Sequence, residues 1–263
     1  MSSVHPTAII DPHAKISNDV SIGPYTLIEA DVVIGPGCKI HNHVTITGHT
    51  KIGKDNIIHP YTAIGVPPQD ISYSDEPTEL IIGNRNIIRE NCTVSIGTVR
   101  GIGETSIGND NLIMAYSHIA HDCTIGSHIL MANGAQLAGH VLIEDYATLG
   151  GFSLIHQFVR IGRNSFTSMG SAVNLDLPPY CLASGNYARA IGLNRVGLRR
   201  FGMESETLDA LSRAFRMLVQ RRLEPDEDEL LELSNKHPEV KNFVSFIKSS
   251  KRGTVRTHLK ART

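Results

Sequence analysis

The chain has 263 residues, of which 41% are hydrophobic, 19% charged and 5% aromatic, with no tryptophan and a formal net charge of −1. This balance is that of a folded domain, and a near-neutral total gives no reason to expect nucleic acid as a partner. An apolar repeat begins almost at the first residue, so neither a signal peptide nor a membrane span is expected.

One pattern runs from Val4 to Val173. Every sixth residue is aliphatic from Val4 through Ile10, Ile16, Ile22 and onward to Ile64, and the series resumes in phase at Ile82, Ile88 and Val94. After a one-residue slip it continues from Ile107 through Ile119, Leu137 and Ile155 to Ile161, closing with Thr167 and Val173. Helices repeat at 3.6 residues and strands at 2, so a period of six denotes a stacked solenoid. Two residues before each aliphatic position stands a small or β-branched one (Ala8, Ala14, Val20, Thr26), and on a strand these share a face. Each unit is therefore a short strand with one large and one small inward side chain, followed by a bend. Three units would close a triangular coil of about eighteen residues, with roughly 4.8 Å between coils. The fold class is thus mainly β, a parallel β-helix. Periodicity does not give its hand, although the general crossover preference favours a right-handed coil. Residues 65–81 are expected to leave the prism as a loop, and 101–106 as a smaller one. Cys38, Cys92 and Cys123 fall at small inward positions, so packing explains them better than metal or disulfide chemistry, and a reduced, cytoplasmic protein follows.

Beyond Val173, Pro178-Pro179-Tyr180 and Gly185-Asn186 read as a linker. A division at residue 188 is expected, with the prism over 1–188 and a helical domain over 189–263. Helices are predicted from Glu204 to Arg222, Asp226 to Lys236 and Glu239 to Lys248, with prolines at tolerated starts. Residues 253–263 are expected to fray. Residues 1–188 hold 9 Lys+Arg against 16 Asp+Glu, and 189–263 hold 16 against 10, so the helical part is basic. Such a surface suits an acidic or phosphate-bearing partner, or is simply a solvated one.

Eleven of the thirteen histidines precede residue 189. His121, His140 and His156 belong to units eighteen residues apart and are placed outward on one face, with His118 at the preceding corner. Such a cluster suits zinc binding or general acid–base catalysis. His121-Asp122 favours the second, because a carboxylate fixes the imidazole tautomer, and Gly139, one rung above, lets a backbone N–H approach an oxyanion.

The stretch Asn-Leu-Ile-Met-Ala-Tyr-Ser-His-Ile-Ala-His-Asp-Cys (111–123), Leu-Ala-Gly-His-Val (137–141), Gly-Gly with His-Gln-Phe (150–158) and the helical C-terminus resemble the UDP-N-acetylglucosamine 3-O-acyltransferases of lipid A synthesis. The resemblance spans residues 4 to about 252. It implies a left-handed coil, against the general rule, and a cytoplasmic homotrimer with active sites between prisms. It implies transfer of a (3R)-hydroxyacyl group from acyl carrier protein to UDP-N-acetylglucosamine, with no cofactor and no metal. His121 would be the base, Asp122 its orienting group and Gly139 the oxyanion donor. Gln69, Asp70, His118, His140, His156 and Gln157 would contact sugar or acyl group, Asn194 and Arg200 the nucleotide, and Met169 would limit acyl length. Ser72, Ser95, Val196 and Phe201 depart from the pattern, at Val94-Ser95-Ile96-Gly97-Thr98 among other places. They bear on the acceptor, so a UDP-3-amino sugar acylated to an amide is an alternative. A zinc enzyme resembling carbonic anhydrase on the same prism is another.

Overall fold

A computed structural model describes residues 3–221 and 223–257. Among the described residues, twenty-six short strands form a parallel β-helix with three flat sheets, which number eleven, nine and eight strands once the first has also taken in a terminal hairpin. Successive strands visit the first, second and third sheets in turn, so neighbours within a sheet lie one coil apart. Ile22 pairs with Ile40, Ile119 with Leu137 and Leu137 with Ile155. The predicted aliphatic series points inward, with Ile28, Ile46, Ile58, Ile64 and Ile119 wholly buried. Burying each such side chain favours the coil by about 1.5–3 kcal/mol. The four cysteines are free and buried.

Polar residues share this interior. Asn56, Asn86 and Asn111 stack at the small inward position of the first sheet. The Asn86 side chain donates to Asn56 Oδ1 at 3.0 Å, and the Asn111 backbone N–H donates to Asn86 Oδ1 at 3.0 Å. A polar residue is stable there because each coil supplies the partner for the next.

Many bends place one residue in the left-handed region, and many of these residues are not glycine: Tyr25, His43, Tyr61, Asp122, His140 and Phe158 all have φ between 55° and 63°. Two coils are longer than the regular step from Ile22 to Ile40: those that carry Ile58 to its partner Ile88, and Ile88 to its partner Ile113. Each therefore holds an inserted excursion, and both excursions leave the same edge, between the second and third sheets. They are shorter than, or displaced from, the expected 65–81 and 101–106. Strands Ala63–Val66 and Glu79–Ile82 confine the first to 67–78, and Thr93–Ser95 and Glu104–Ile107 confine the second to 96–103. The six-residue period reports only inward positions, whereas these outer strand residues are fixed by ladder pairing. The two excursions brace each other: Thr78 Oγ1 donates to Gly97 O at 2.6 Å, and Ile96 N to Val66 O at 3.1 Å.

The stretch read as a linker continues the solid structure. Leu177 bridges to Ile161, and Cys181–Gly185 joins the first sheet and returns antiparallel as Ala188–Leu193. Tyr180, Cys181, Ala183 and Ala188 are buried; the prolines punctuate a bend without loosening the chain.

Among the described residues four helices follow, α1 (Arg195–Arg200), α2 (Ser205–Phe215), α3 (Asp228–Lys236) and α4 (Pro238–Ser249), with a wider turn at Arg216–Gln220 after α2. Arg222, the expected end of the first long helix, lies outside the described residues, as does the tail from 258. The segment expected to fray is tied down as far as Arg256: Val255 is buried, its N–H donates to Asp176 O at 2.9 Å, and Ala190 N donates to Arg256 O at 3.1 Å. Among the described residues no helix is long and apolar enough to cross a membrane.

Candidate active site

His121 and Asp122 form the bend that leads from the second sheet to the third, on the edge that carries both excursions. The residues eighteen later are Gly139 and His140, so the corner repeats, and His140 N donates to His121 O at 3.0 Å. Asp122 is in the left-handed region with φ 59°, a conformation that turns its carboxylate back beneath the His121 ring. Aspartate tolerates it better than most residues. His121 Nδ1 lies 2.7 Å from Asp122 Oδ2, with the carboxylate side chain 0% exposed and the imidazole 16% exposed.

The carboxylate is fully engaged. Oδ2 also accepts from Thr98 Oγ1 at 2.6 Å, and Oδ1 accepts from the N–H groups of Thr98 at 3.1 Å and Ile102 at 3.0 Å. Burial raises its proton affinity, but hydrogen bonds from Thr98 and His121 more than offset this, so the group sits below the ordinary carboxylate range and stays ionised. A buried anion must accept a proton from His121, which places hydrogen on Nδ1 and leaves the Nε2 lone pair free.

Gly139 is fixed by this ring. A Cβ at position 139 would lie 2.6 Å from His121 Cε1 and 2.7 Å from Nε2, so any side chain would displace the imidazole. The Gly139 N–H finds no acceptor among the described residues.

His140 stands edge-on to His121, with ring centroids 5.0 Å apart and planes at 89°, and stacks flat on Phe158 at 4.3 Å. Burial holds both His118 and His140 toward the neutral form, and the neighbouring His121 adds to it in each, although Asp122 and Asp70 pull His140 the other way. His118 Nδ1 is 2.6 Å from Thr93 Oγ1. Asp70 comes from the first excursion and feels the charges of His121 and Arg100; it accepts from the backbone and hydroxyl of Ser72 at 2.9 and 2.8 Å. Gln69 is exposed on the same loop. His156 and Gln157 are exposed at the next coil, and Arg252 Nη2 lies 2.9 Å from His156 Nδ1.

His121, Asp122 and His140 present ligand atoms within 4.8 Å of one another, the spacing of a metal-binding group. The four donors to Asp122 occupy the positions that a cation would need, so the carboxylate is set up to orient an imidazole and not to ligate.

Beside this corner the second sheet carries an apolar furrow of about 390 Å³, whose walls include His118, Leu154, His156, Ala172 and Tyr187. Tyr187, at the tip of the terminal hairpin, had no sequence signal as a site residue; only the hairpin's return over the sheet brings it there. Met169 lies on the other edge of that sheet, 78% exposed.

One chain does not bring all the expected residues together. Asn194 and Arg200 line a second cavity of about 890 Å³ on the first sheet, the face opposite the His121 edge, with His128, Tyr146, Val196 and Phe201. Asn194 is also a helix cap: its Oδ1 accepts from Gly197 N at 3.1 Å, and its Nδ2 donates to Asn164 O at 3.0 Å. Phe201 packs edge-on against Tyr146 at 4.8 Å. Ser95 is buried, and its hydroxyl has no partner among the described residues.

Comparison with known proteins agrees in sequence and in fold. Residues 176–255 match the profile described as UDP N-acetylglucosamine O-acyltransferase, domain 2, and residues 13–48 and 104–139 match bacterial transferase hexapeptide repeats. An acyl-[acyl-carrier-protein]–UDP-N-acetylglucosamine O-acyltransferase of Neisseria meningitidis serogroup B is 50% identical over 97% of this chain and 100% of its own length. The enzyme of that name from Thermodesulfovibrio yellowstonii is 47% identical over the same shares. Among solved structures, the UDP-N-acetylglucosamine O-acyltransferase of Moraxella catarrhalis superposes with a TM-score of 0.93 at 43% identity, covering 96% of this chain and 99% of that one.

Proposed function

Since the chain belongs to the UDP-N-acetylglucosamine O-acyltransferase family, we propose that it acylates the 3-hydroxyl of UDP-N-acetylglucosamine from acyl carrier protein, the first step of lipid A synthesis, with His121 as general base. The observation that carries the catalytic assignment is the short contact between His121 Nδ1 and the buried Asp122 carboxylate, one coil below Gly139. His121 Nε2 takes the proton of the sugar hydroxyl as its oxygen attacks the thioester carbonyl. The carbonyl oxygen becomes an oxyanion that accepts from Gly139 N–H. Collapse of the tetrahedral intermediate breaks the carbon–sulfur bond, and the imidazolium returns its proton to the departing thiolate of the carrier protein. Neutral His118 and His140, with Asp70, supply polar contacts to the sugar, joined by Gln69, His156 and Gln157.

The acyl chain lies in the apolar furrow of the second sheet and runs toward Met169. A donor chain of about ten to twelve carbons is preferred over fourteen, because each methylene left unburied forfeits about 0.8 kcal/mol.

Asn194 and Arg200 act on the nucleotide through a trimer, in which the first-sheet face of one chain meets the His121 edge of its neighbour. The boundary expected at 188 falls inside the terminal hairpin, so the helical region that forms a functional domain starts at Arg195. Its exposed Arg199 and Arg200 with the neighbouring basic side chains dock the acidic carrier protein. The substrates and the four free thiols suit a cytoplasmic enzyme. The amide-forming and zinc readings draw no support from the relatives, whose names specify O-acyl transfer.

The test incubates purified protein with acyl carrier protein thioesters and UDP-N-acetylglucosamine, and follows the product by mass spectrometry and its release of acyl group to hydroxylamine. A labile ester on the sugar is expected, and its absence would overturn the reading. For the assembly, mixing His121→Ala and Arg200→Ala chains should restore part of the activity that each lacks alone. Mixtures no more active than their components would place each site within one chain.

A further inference from the structure

The second excursion, 96–103, has a shape that the six-residue repeat does not require. It turns back onto a single group, the Asp122 carboxylate. A Cβ on Gly101 would lie 2.2 Å from Asp122 Cγ, so this residue has no room for any side chain. Thr98 is 5% exposed and contributes two of the four hydrogen bonds that Asp122 receives, and Ile102 N contributes a third. Thr98 is itself held from behind. Its hydroxyl accepts from Gly101 N at 3.1 Å, and the adjoining Gly97 is gripped through its carbonyl by Thr78 of the first excursion. The Thr98 hydroxyl and His121 Nδ1 address the same oxygen, Oδ2, at 2.6 and 2.7 Å.

We infer that Thr98 is a positioning residue of the active site, which fixes the rotation of the Asp122 carboxylate and divides Oδ2 between its own hydroxyl and the His121 ring. The inference rests on the assignment of His121 as base. With the hydroxyl present, Oδ2 has one direction left for the imidazole, and the ring is aimed before substrate arrives. Without it, the carboxylate turns more freely and donates more of its negative charge to His121. The other charged or titratable groups facing the pair are His140, His118, Asp70 and, through Asp70, Arg100. None of them touches Oδ2 within hydrogen-bond distance, since His140 Nδ1 stands at 3.8 Å. Removing the hydroxyl therefore acts on the Asp122–His121 contact directly.

The experiment compares Thr98→Val, which replaces hydroxyl by methyl at nearly constant volume, with Thr98→Ser, which keeps the donor. Steady-state rates are taken across pH with the full-length protein. Thr98→Val should lower kcat by about 10- to 100-fold with KM for both substrates little changed. It should also move the acid limb of kcat/KM to higher pH, because both a more basic His121 and a less firmly ionised Asp122 shift it in that direction. Thr98→Ser should restore both. The Nδ1-bound proton of His121, followed by NMR, should move in Thr98→Val and return in Thr98→Ser; this readout needs only folded protein. An acid limb and Nδ1 proton unchanged in Thr98→Val would overturn the inference, whatever the loss in rate. If His121→Ala retained activity, the base assignment itself would fall; an inactive His121→Ala beside an unshifted Thr98→Val would remove only the role of Thr98.

Discussion

All three edges of the prism carry rings at the left-handed corner position, with His128 stacked on Tyr146 between the third and first sheets. Among the described residues, only the edge between the second and third sheets pairs a histidine with a buried carboxylate. On the edge between the first and second sheets, Tyr25, His43 and Tyr61 stack coil upon coil, with centroids 5.1 and 4.9 Å apart and planes within 19° and 8° of parallel. The outermost rings are largely exposed. On the edge between the second and third sheets, the ladder is interrupted. His140 stacks on Phe158, but below it the corner position holds Asp122, and His121 turns perpendicular to His140. Both excursions leave from this edge, and one encloses Asp122. A repeating ring at a repeating corner is a packing device. Replacing one rung of it by a carboxylate, with a loop to bury that carboxylate, makes a catalytic pair from the same backbone geometry.

The contrast breaks most sharply at His121. His121→Ala should lower kcat by about 10²–10⁴-fold while the thermal midpoint stays near wild type, since the ring lies outside the apolar core. A rate within a few-fold of wild type would show that the two edges do not differ in chemistry. Gly139→Ala should follow, with a loss approaching 10²-fold from a displacement of about 1 Å, because the added methyl takes the place of the imidazole. An unimpaired Gly139→Ala enzyme would mean that neither the ring position nor the glycine N–H matters.

Met169 sharpens the comparison on the ladder edge. Met169→Gly should move the donor optimum toward longer chains, changing the preference between donors two carbons apart by about tenfold. Tyr187→Ala, which opens the furrow in the terminal hairpin, should act in the same direction. An unchanged chain-length profile in both would place the end of the acyl slot elsewhere.

Acid stability should separate the edges as well. The folded state holds Asp122 below its ordinary value of 3.8, so its contribution is complete above that value and is lost as pH falls through the depressed one. Asp122→Asn should thus narrow the stability difference from wild type as pH drops below about 4, measured by urea denaturation. A difference constant with pH would mean that the carboxylate gains nothing on folding. The smallest effect belongs to His43→Ala, an exposed rung of the other ladder. Its rate should match wild type, and its stability should fall by no more than about 1 kcal/mol.

How much of this was legible in sequence depended on whether a contact was periodic. Ile46, Ile64, Val94 and Ile119 fill the same inward position in successive coils, so one rule placed all of them, and the proximity of His121 to Gly139 followed from the same count. The Asn56–Asn86–Asn111 ladder is periodic too, at the small inward position of the first sheet, but an asparagine reads as polar until its partner is known to lie one coil away. Thr98 and Gly101 gave no signal, since an excursion has no period and its path is set by the group it closes on. Pro178-Pro179-Tyr180 and Gly185-Asn186 looked like a linker because prolines and glycines mark bends whether or not strands continue past them.

By itself the sequence determined the coil, its three sheets, its inward residues and the corner at His121-Asp122, because an eighteen-residue turn converts sequence distance directly into height along the prism. The tertiary structure alone decided what surrounds that corner: the burial of Asp122 by the second excursion, the furrow closed by Tyr187, and the placing of Asn194 and Arg200 on the opposite face. Those contacts join segments outside the repeat, where no fixed spacing relates position in the chain to position in space.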